Sequence, residues 1–179
     1  MKKFFAIYLH SMMRMAERNG FVKGCLRKGN SLLVRYLVHI YHKQGLEAWR
    51  SFWIPAFKEY GNYRAAYLIE KMNIDKSDAK SVGSYHDYED PILGVEGYWR
   101  KDSDGNAVRV ETECMVCDDL MKFTNNNQCR SDFCRHIVAA MEQGTGEAIN
   151  EKYNVHIIAL LTEGDQSCQF VHTIDHGKV

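Results

Sequence analysis

A chain of 179 residues with 45% hydrophobic and 12% aromatic content is long enough to bury a substantial core, and 2 prolines and 13 glycines leave little room for long disordered linkers. Its 23 basic and 23 acidic residues cancel to a net charge of +0, with no dense basic run carrying interleaved aromatics, so the electrostatic footprint of a nucleic-acid binder is missing. No apolar run reaches the ~18 residues of a membrane span.

Met1 to Leu9 imitates an export signal, with two lysines and a short apolar run, but His10, Ser11, Arg14 and Glu17 continue in helical rhythm without a small-residue cleavage site. The expectation is a cytoplasmic protein whose six cysteines are reduced. Residues 2 to 19 place Phe5, Leu9, Met12, Met13 and Ala16 at helix spacing. Cys25 falls in a connector from Gly24 to Gly29. Asn30 and Ser31 then cap a second helix carrying Leu33, Leu37, Ile40 and Tyr41 and ending at Gly45. A third helix, from Leu46 to Tyr60, holds Trp49, Phe52, Trp53, Ala56 and Phe57 and is interrupted at Pro55; this stripe reads as core, with Trp49 and Trp53 also able to serve a homodimer. Gly61 separates it from a short fourth helix ending at Met72. From Asp75 to Pro91 the pattern thins into a short capped helix and then a polar connection, in which His86, Asp87, Glu89 and Asp90 read more readily as an acidic surface loop than as metal ligands.

Beyond residue 90 the period changes to two. Val95, Gly97 and Trp99, then Val108, Val110, Thr112 and Cys114, flank Asp102-Ser103-Asp104-Gly105-Asn106, which predicts a hairpin. A short helix over Cys117 to Phe123, a helix capped by Ser131 and Asp132 and closed by Gly144 and Gly146, and a second hairpin over residues 154–174 complete the chain. The predicted fold class is α+β, with N-terminal helices packed on an antiparallel sheet made from two hairpins. Residues 1–90 form a helical segment and 91–179 a cysteine-rich hairpin-helix-hairpin segment, together one compact domain.

Three chemistries compete for the cysteines. Cys114 and Cys117, with Cys129 and Cys134, could hold zinc as two pairs. Cys168, helped by Cys134 and His136, could serve as nucleophile or metal ligand in a pocket, with Asp165 as a general base or orienting an imidazole and the predicted helix start favouring a thiolate at Cys134. The Cys114/Cys117 pair could cycle as a disulfide, although no βαβ unit surrounds it.

The segment Tyr60-Gly61-Asn62-Tyr63-Arg64-Ala65-Ala66, the strand Val110-Glu111-Thr112-Glu113-Cys114, Cys134 and the terminal Gly164-Asp165-Gln166-Ser167-Cys168-Gln169-Phe170 together resemble the L-2-amino-thiazoline-4-carboxylic acid hydrolase family of bacterial proteins, over roughly residues 45 to 175. The resemblance implies hydrolytic opening of a small sulfur/nitrogen heterocycle at a C–N bond, with Cys168 or Cys114 as nucleophile or ligand to zinc or another divalent metal. It implies Asp165 or His136 as proton carrier, and Arg109 or Arg135 holding the substrate carboxylate. The terminal motif also resembles four-vinyl-reductase-type ligand-binding domains, which implies a non-catalytic small-molecule sensor instead. A zinc-stapled scaffold is the third expectation.

Overall fold

The computed structural model describes residues 1–175. Helix α1 (Lys2–Arg18) buries Ala6, Met13 and Ala16, and ends at Asn19. Asn19 is extended, and its side-chain oxygen accepts the N–H groups of Phe21 and Val22 at 3.0 and 3.2 Å, which starts α2 (Gly20–Gln44) at once. The connector predicted around Cys25 is therefore helix, and Asn30 and Ser31 lie inside it. The glycines at 24 and 29 cost the helix stability, but tertiary packing of Leu26, Val34, Leu37 and Tyr41 overrides that cost.

After the single turn α3 (Glu47–Arg50), α4 (Trp53–Met72) runs unbroken through the predicted break at Gly61. Pro55 is its third residue, where an N–H has no acceptor within the helix, so no interruption follows. The indole of Trp49 is fully buried and donates to the Leu37 carbonyl at 3.1 Å, which removes it from any intermolecular contact.

The short capped helix expected after residue 75 is α5 (Ala79–Val82), capped by Asp78, and the polar connection expected to follow it is instead α6 (Tyr85–Leu93). Gly94, at φ 75°, closes α6, and Arg27 donates to the exposed carbonyls of Ile92 (2.8 Å) and Pro91 (3.0 Å).

Strands β1 (Val95–Lys101) and β2 (Ala107–Cys114) pair as the predicted hairpin; Asp102 accepts the N–H groups of Asp104 and Asn106 across its turn. Helix α7 (Met115–Phe123) follows directly. Then α8 (Asn127–Asp132), capped by Asn126 rather than Ser131, continues through a π-helical segment (Phe133–Val138) into α9 (Ala139–Ile149). Gly144 and Gly146 lie within α9 instead of closing it. A Cβ at Gly61 would overlap the Met141 carbonyl and one at Gly144 would sit 2.6 Å from the Lys58 carbonyl, so these glycines let α4 and α9 cross in close contact. The last hairpin is β3 (Tyr153–Ala159) and β4 (Cys168–Ile174), joined by a 3-10 turn (Leu161–Glu163).

The antiparallel sheet has the order β1-β2-β4-β3, and the fold is α+β as expected. Its main core joins Val34, Leu37, Trp49 and Phe57 to Leu120, Phe133, Leu160 and Phe170, so both halves of the chain share one interior. Among the described residues no helix is long and apolar enough to cross a membrane.

Candidate functional site

The sheet register places Trp99, Arg109 and Phe170 in one row, with Glu111 opposite Cys168 and Ala107 opposite His172 in the rows beside it. Alternation puts all of these side chains on one face. Arg109, Glu111, Cys168, Phe170 and His172 are buried there. The opposite face carries Val108, Val110 and Val171, over which Arg100 reaches to donate to Gln169 at 2.7 Å. The hairpin thus turns two of its charged residues, Arg109 and Glu111, inward.

They are met from α6. His86, Glu89 and Asp90 recur at helical spacing on one face, and all three are buried, so the surface-loop reading fails for them; Asp87 remains half-exposed. His86 Nδ1 lies 3.3 Å from Asp90 Oδ2 and 3.4 Å from Glu111 Oε1, and its Nε2 lies 3.8 Å from Glu142 Oε2 on α9. Arg109 donates to Asp90 at 2.8 Å and to Asp87 at 3.3 Å. Arg64, on α4, ion-pairs with Glu89, donates to Thr145 at 2.9 Å and lies 3.5 Å from Glu142. Burial opposes charge on His86, yet the carboxylates of Asp90, Glu142 and Glu111 hold its pKa well above the usual imidazole value. His172 shares a hydrogen bond with the Tyr153 hydroxyl, and burial, then the nearness of His86 and Arg109, keep its pKa well below that value.

Next to this network lie the thiols. Cys117, on α7, has Cys168 Sγ at 3.8 Å, and Cys114 and Cys134 lie close enough to influence its proton. Four of the six cysteines therefore gather from the end of β2, α7, the π-helical segment and the start of β4. Cys129 is buried separately beside Asp132, with its thiol pushed up to about 12 by burial and that carboxylate, so it does not complete the predicted zinc quartet. The sulfurs radiate from Cys117. Among the described residues, the ligand atoms that all lie within 4.8 Å of one another belong to His86, Asp90 and Glu111.

Three of these thiols are shifted in acidity. Hydrogen bonds that require its proton, together with burial, raise the pKa of Cys117; Cys117 acts to lower Cys114, but burial and Glu111 outweigh it and leave that thiol raised. Cys168 is lowered, because Cys117 donates to it and the Leu161 N–H points at its sulfur from 3.4 Å. Cys134 lies beside Thr162 at 3.8 Å; the helix begins at Asn127, so the expected first-turn effect of the helix dipole does not act on it.

The other expected site residues stand apart. His136 is half-exposed, 3.9 Å from Asp132. Asp165 is exposed and accepts the Leu160 N–H at 2.7 Å, which shapes the turn before Cys168. Arg135 is held by Glu163 through two contacts of 2.7 Å. A cleft of about 410 Å³ beside the 3-10 turn is lined by Gln128, Arg130, Ser131, Leu161, Thr162 and Glu163. Two of its lining residues, Leu161 and Thr162, contact Cys168 and Cys134 through a backbone N–H and a side-chain hydroxyl.

The architecture defines an α+β protein with helices covering one face of a four-stranded antiparallel sheet. Among solved structures, a crystal structure of trafficking protein particle complex subunit 3 from Naegleria fowleri, covalently bound to palmitic acid, is similar in fold, with a TM-score of 0.57 at 14% identity over 82% of this chain and 96% of that one. No protein-family model and no curated protein sequence matches the chain.

Proposed function

We propose that this protein is a cysteine-dependent hydrolase that opens a small sulfur/nitrogen heterocycle of the aminothiazoline-carboxylate type. The observation that carries the reading is the setting of Cys168, whose sulfur accepts the Leu161 N–H at 3.4 Å and lies 3.8 Å from the Cys117 sulfur, so that its thiolate is favoured. In this reading the Cys168 sulfur attacks the ring carbon between sulfur and nitrogen. A C–S bond forms, the ring C–N bond breaks, and the departing nitrogen takes a proton from water. A second water then cleaves the new C–S bond and returns the thiolate.

The cleft over the 3-10 turn is the route by which a small substrate would arrive, and Arg130 is the cation in its wall. Six free thiols, one of them activated, suit a reducing compartment such as the cytoplasm. The covalent palmitate of the structural neighbour does not carry over readily. The apolar cavity bounded by α1, α2, α4 and the π-helical segment measures about 70 Å³, a small space for a long acyl chain.

The test pairs turnover with labelling. Wild type should hydrolyse 2-aminothiazoline-4-carboxylate while Cys168→Ser does not, and iodoacetamide near neutral pH should modify Cys168 before Cys114, Cys117 or Cys129 by peptide mass spectrometry. No turnover together with equal labelling of the four would sink the proposal. Zinc retained by the thiols would favour the scaffold reading instead.

A further inference from the structure

We infer that His86, Asp90 and Glu111 form a binding site for a divalent first-row cation, separate from the thiols and independent of the hydrolase reading. The first argument is spacing. The 3.3 and 3.4 Å separations from His86 Nδ1 to the two carboxylates are long for charge-assisted hydrogen bonds, which run about 2.7–2.9 Å. They equal the edge, about 3.3 Å, of a tetrahedron built on metal bonds of about 2.05 Å to nitrogen and oxygen.

The second argument is the far side of the imidazole. When Nδ1 binds a metal, the ring proton must sit on Nε2, and ligating histidines almost always donate that proton to a carboxylate or carbonyl. His86 Nε2 and Glu142 Oε2 lie 3.8 Å apart, both more than nine-tenths buried, and neither has a hydrogen-bond partner. The pair is positioned as an outer shell, and a contraction of under an ångström completes it.

Charge is the third argument. Glu89, Asp90, Glu111 and Glu142 bring four formal negative charges into one buried region, against two from Arg64 and Arg109. Once His86 is neutral, as binding through Nδ1 requires, the excess matches one divalent ion, and charge left unbalanced in a low-dielectric interior is costly.

Access is built in as well. A cleft of about 450 Å³ between α6 and β1 is lined by Asp87, Glu96 and Arg109, and Arg109 is the group that covers Asp90. Swinging its guanidinium toward Asp87 opens the way to the three ligands. A nitrogen and two carboxylates with a neighbouring cleft suit Zn²⁺, Mn²⁺ or Co²⁺ rather than a sulfur-seeking ion.

The test is titration of the reduced full-length protein with Co²⁺, followed by its visible and near-ultraviolet absorption. The expected result is one ion per chain, d–d bands in the visible and no sulfur-to-metal charge-transfer band. Glu111→Gln and His86→Asn should each weaken binding at least about tenfold, the scale on which even outer-shell losses act, while Cys117→Ala leaves affinity unchanged. Because these variants remove buried groups, anomalous scattering from Zn²⁺ in crystals of the wild type provides a readout that needs no substitution. A peak among His86, Asp90 and Glu111 upholds the site. A peak at the thiols, a strong sulfur charge-transfer band, or no binding by the wild type overturns it.

Discussion

Arg64 shows what a single side chain contributes here. It is buried between α4, α6 and α9, where Glu89, Thr145 and Glu142 surround its guanidinium and the rings of Tyr60 and Tyr85 stack on it at 5.0 Å each. Burial opposes its charge, but Glu89 and Glu142 outweigh that and keep it protonated. Arg64→Met strands two buried carboxylates, so urea unfolding should report a loss of about 3–5 kcal/mol, the usual cost of breaking a buried pair from one side. A loss under 1 kcal/mol would mean that the carboxylates are balanced by something other than arginine. The same residue illustrates the limits of pattern reading. Arg64 belongs to a run read for its helix, and nothing in one dimension distinguishes an arginine that snorkels to water from one that holds three elements together.

At the scale of elements, the glycines fall into two kinds. Gly24 and Gly29, on the exposed side of α2, have open space where a Cβ would go, whereas Gly61 and Gly146 face the α4–α9 crossing and the Tyr153 ring. Alanine at position 24 or 29 should therefore stabilise the protein by about 0.5–1 kcal/mol through helix propensity. Alanine at 61 or 146 should destabilise it despite the same propensity gain, because backbone and ring must move apart. Thermal melts of the four single variants decide this, and equal shifts in all four would refute the packing argument. The glycines also account for most misplaced helix ends. A glycine that stops a helix and one that admits a neighbour are identical in sequence, which is why breaks were expected at 24–29, 61 and 144–146. The strands were easier. Turn chemistry at Asp102–Asn106 and Glu163–Gln166 acts locally, and both hairpins lie where the alternation put them.

For the whole molecule, acid is the informative perturbation. His10 is buried between the rings of Tyr63 and Tyr67, and burial, aided by Arg14 and Arg64, lowers its pKa below the ordinary 6.5. The unfolded chain therefore takes up a proton at His10 at a higher pH than the folded chain does. Stability attributable to this residue is intact above pH 6.5 and falls as the pH drops below it, at no more than about 1.4 kcal/mol per pH unit for one proton. His10→Phe keeps the ring contacts and removes the titration. The stability difference between variant and wild type should move in the variant's favour from pH 7 to pH 5, and a difference that does not change with pH would show that His10 is not held neutral.

Composition, the change of period near residue 90 and the two hairpin turns were enough to establish an α+β chain, because each rests on interactions among residues close in sequence. The thiol gathering was legible only in part: Cys168 stood out beside its turn, but that Cys117 rather than Cys129 would join it depends on where α7 and α8 pack. His86, Asp90 and Glu111 were hidden more completely. Their helical and period-two spacings were available, yet a polar cluster reads as solvated until the tertiary structure brings a charged strand against it. Only folding decides whether such charges face water or one another.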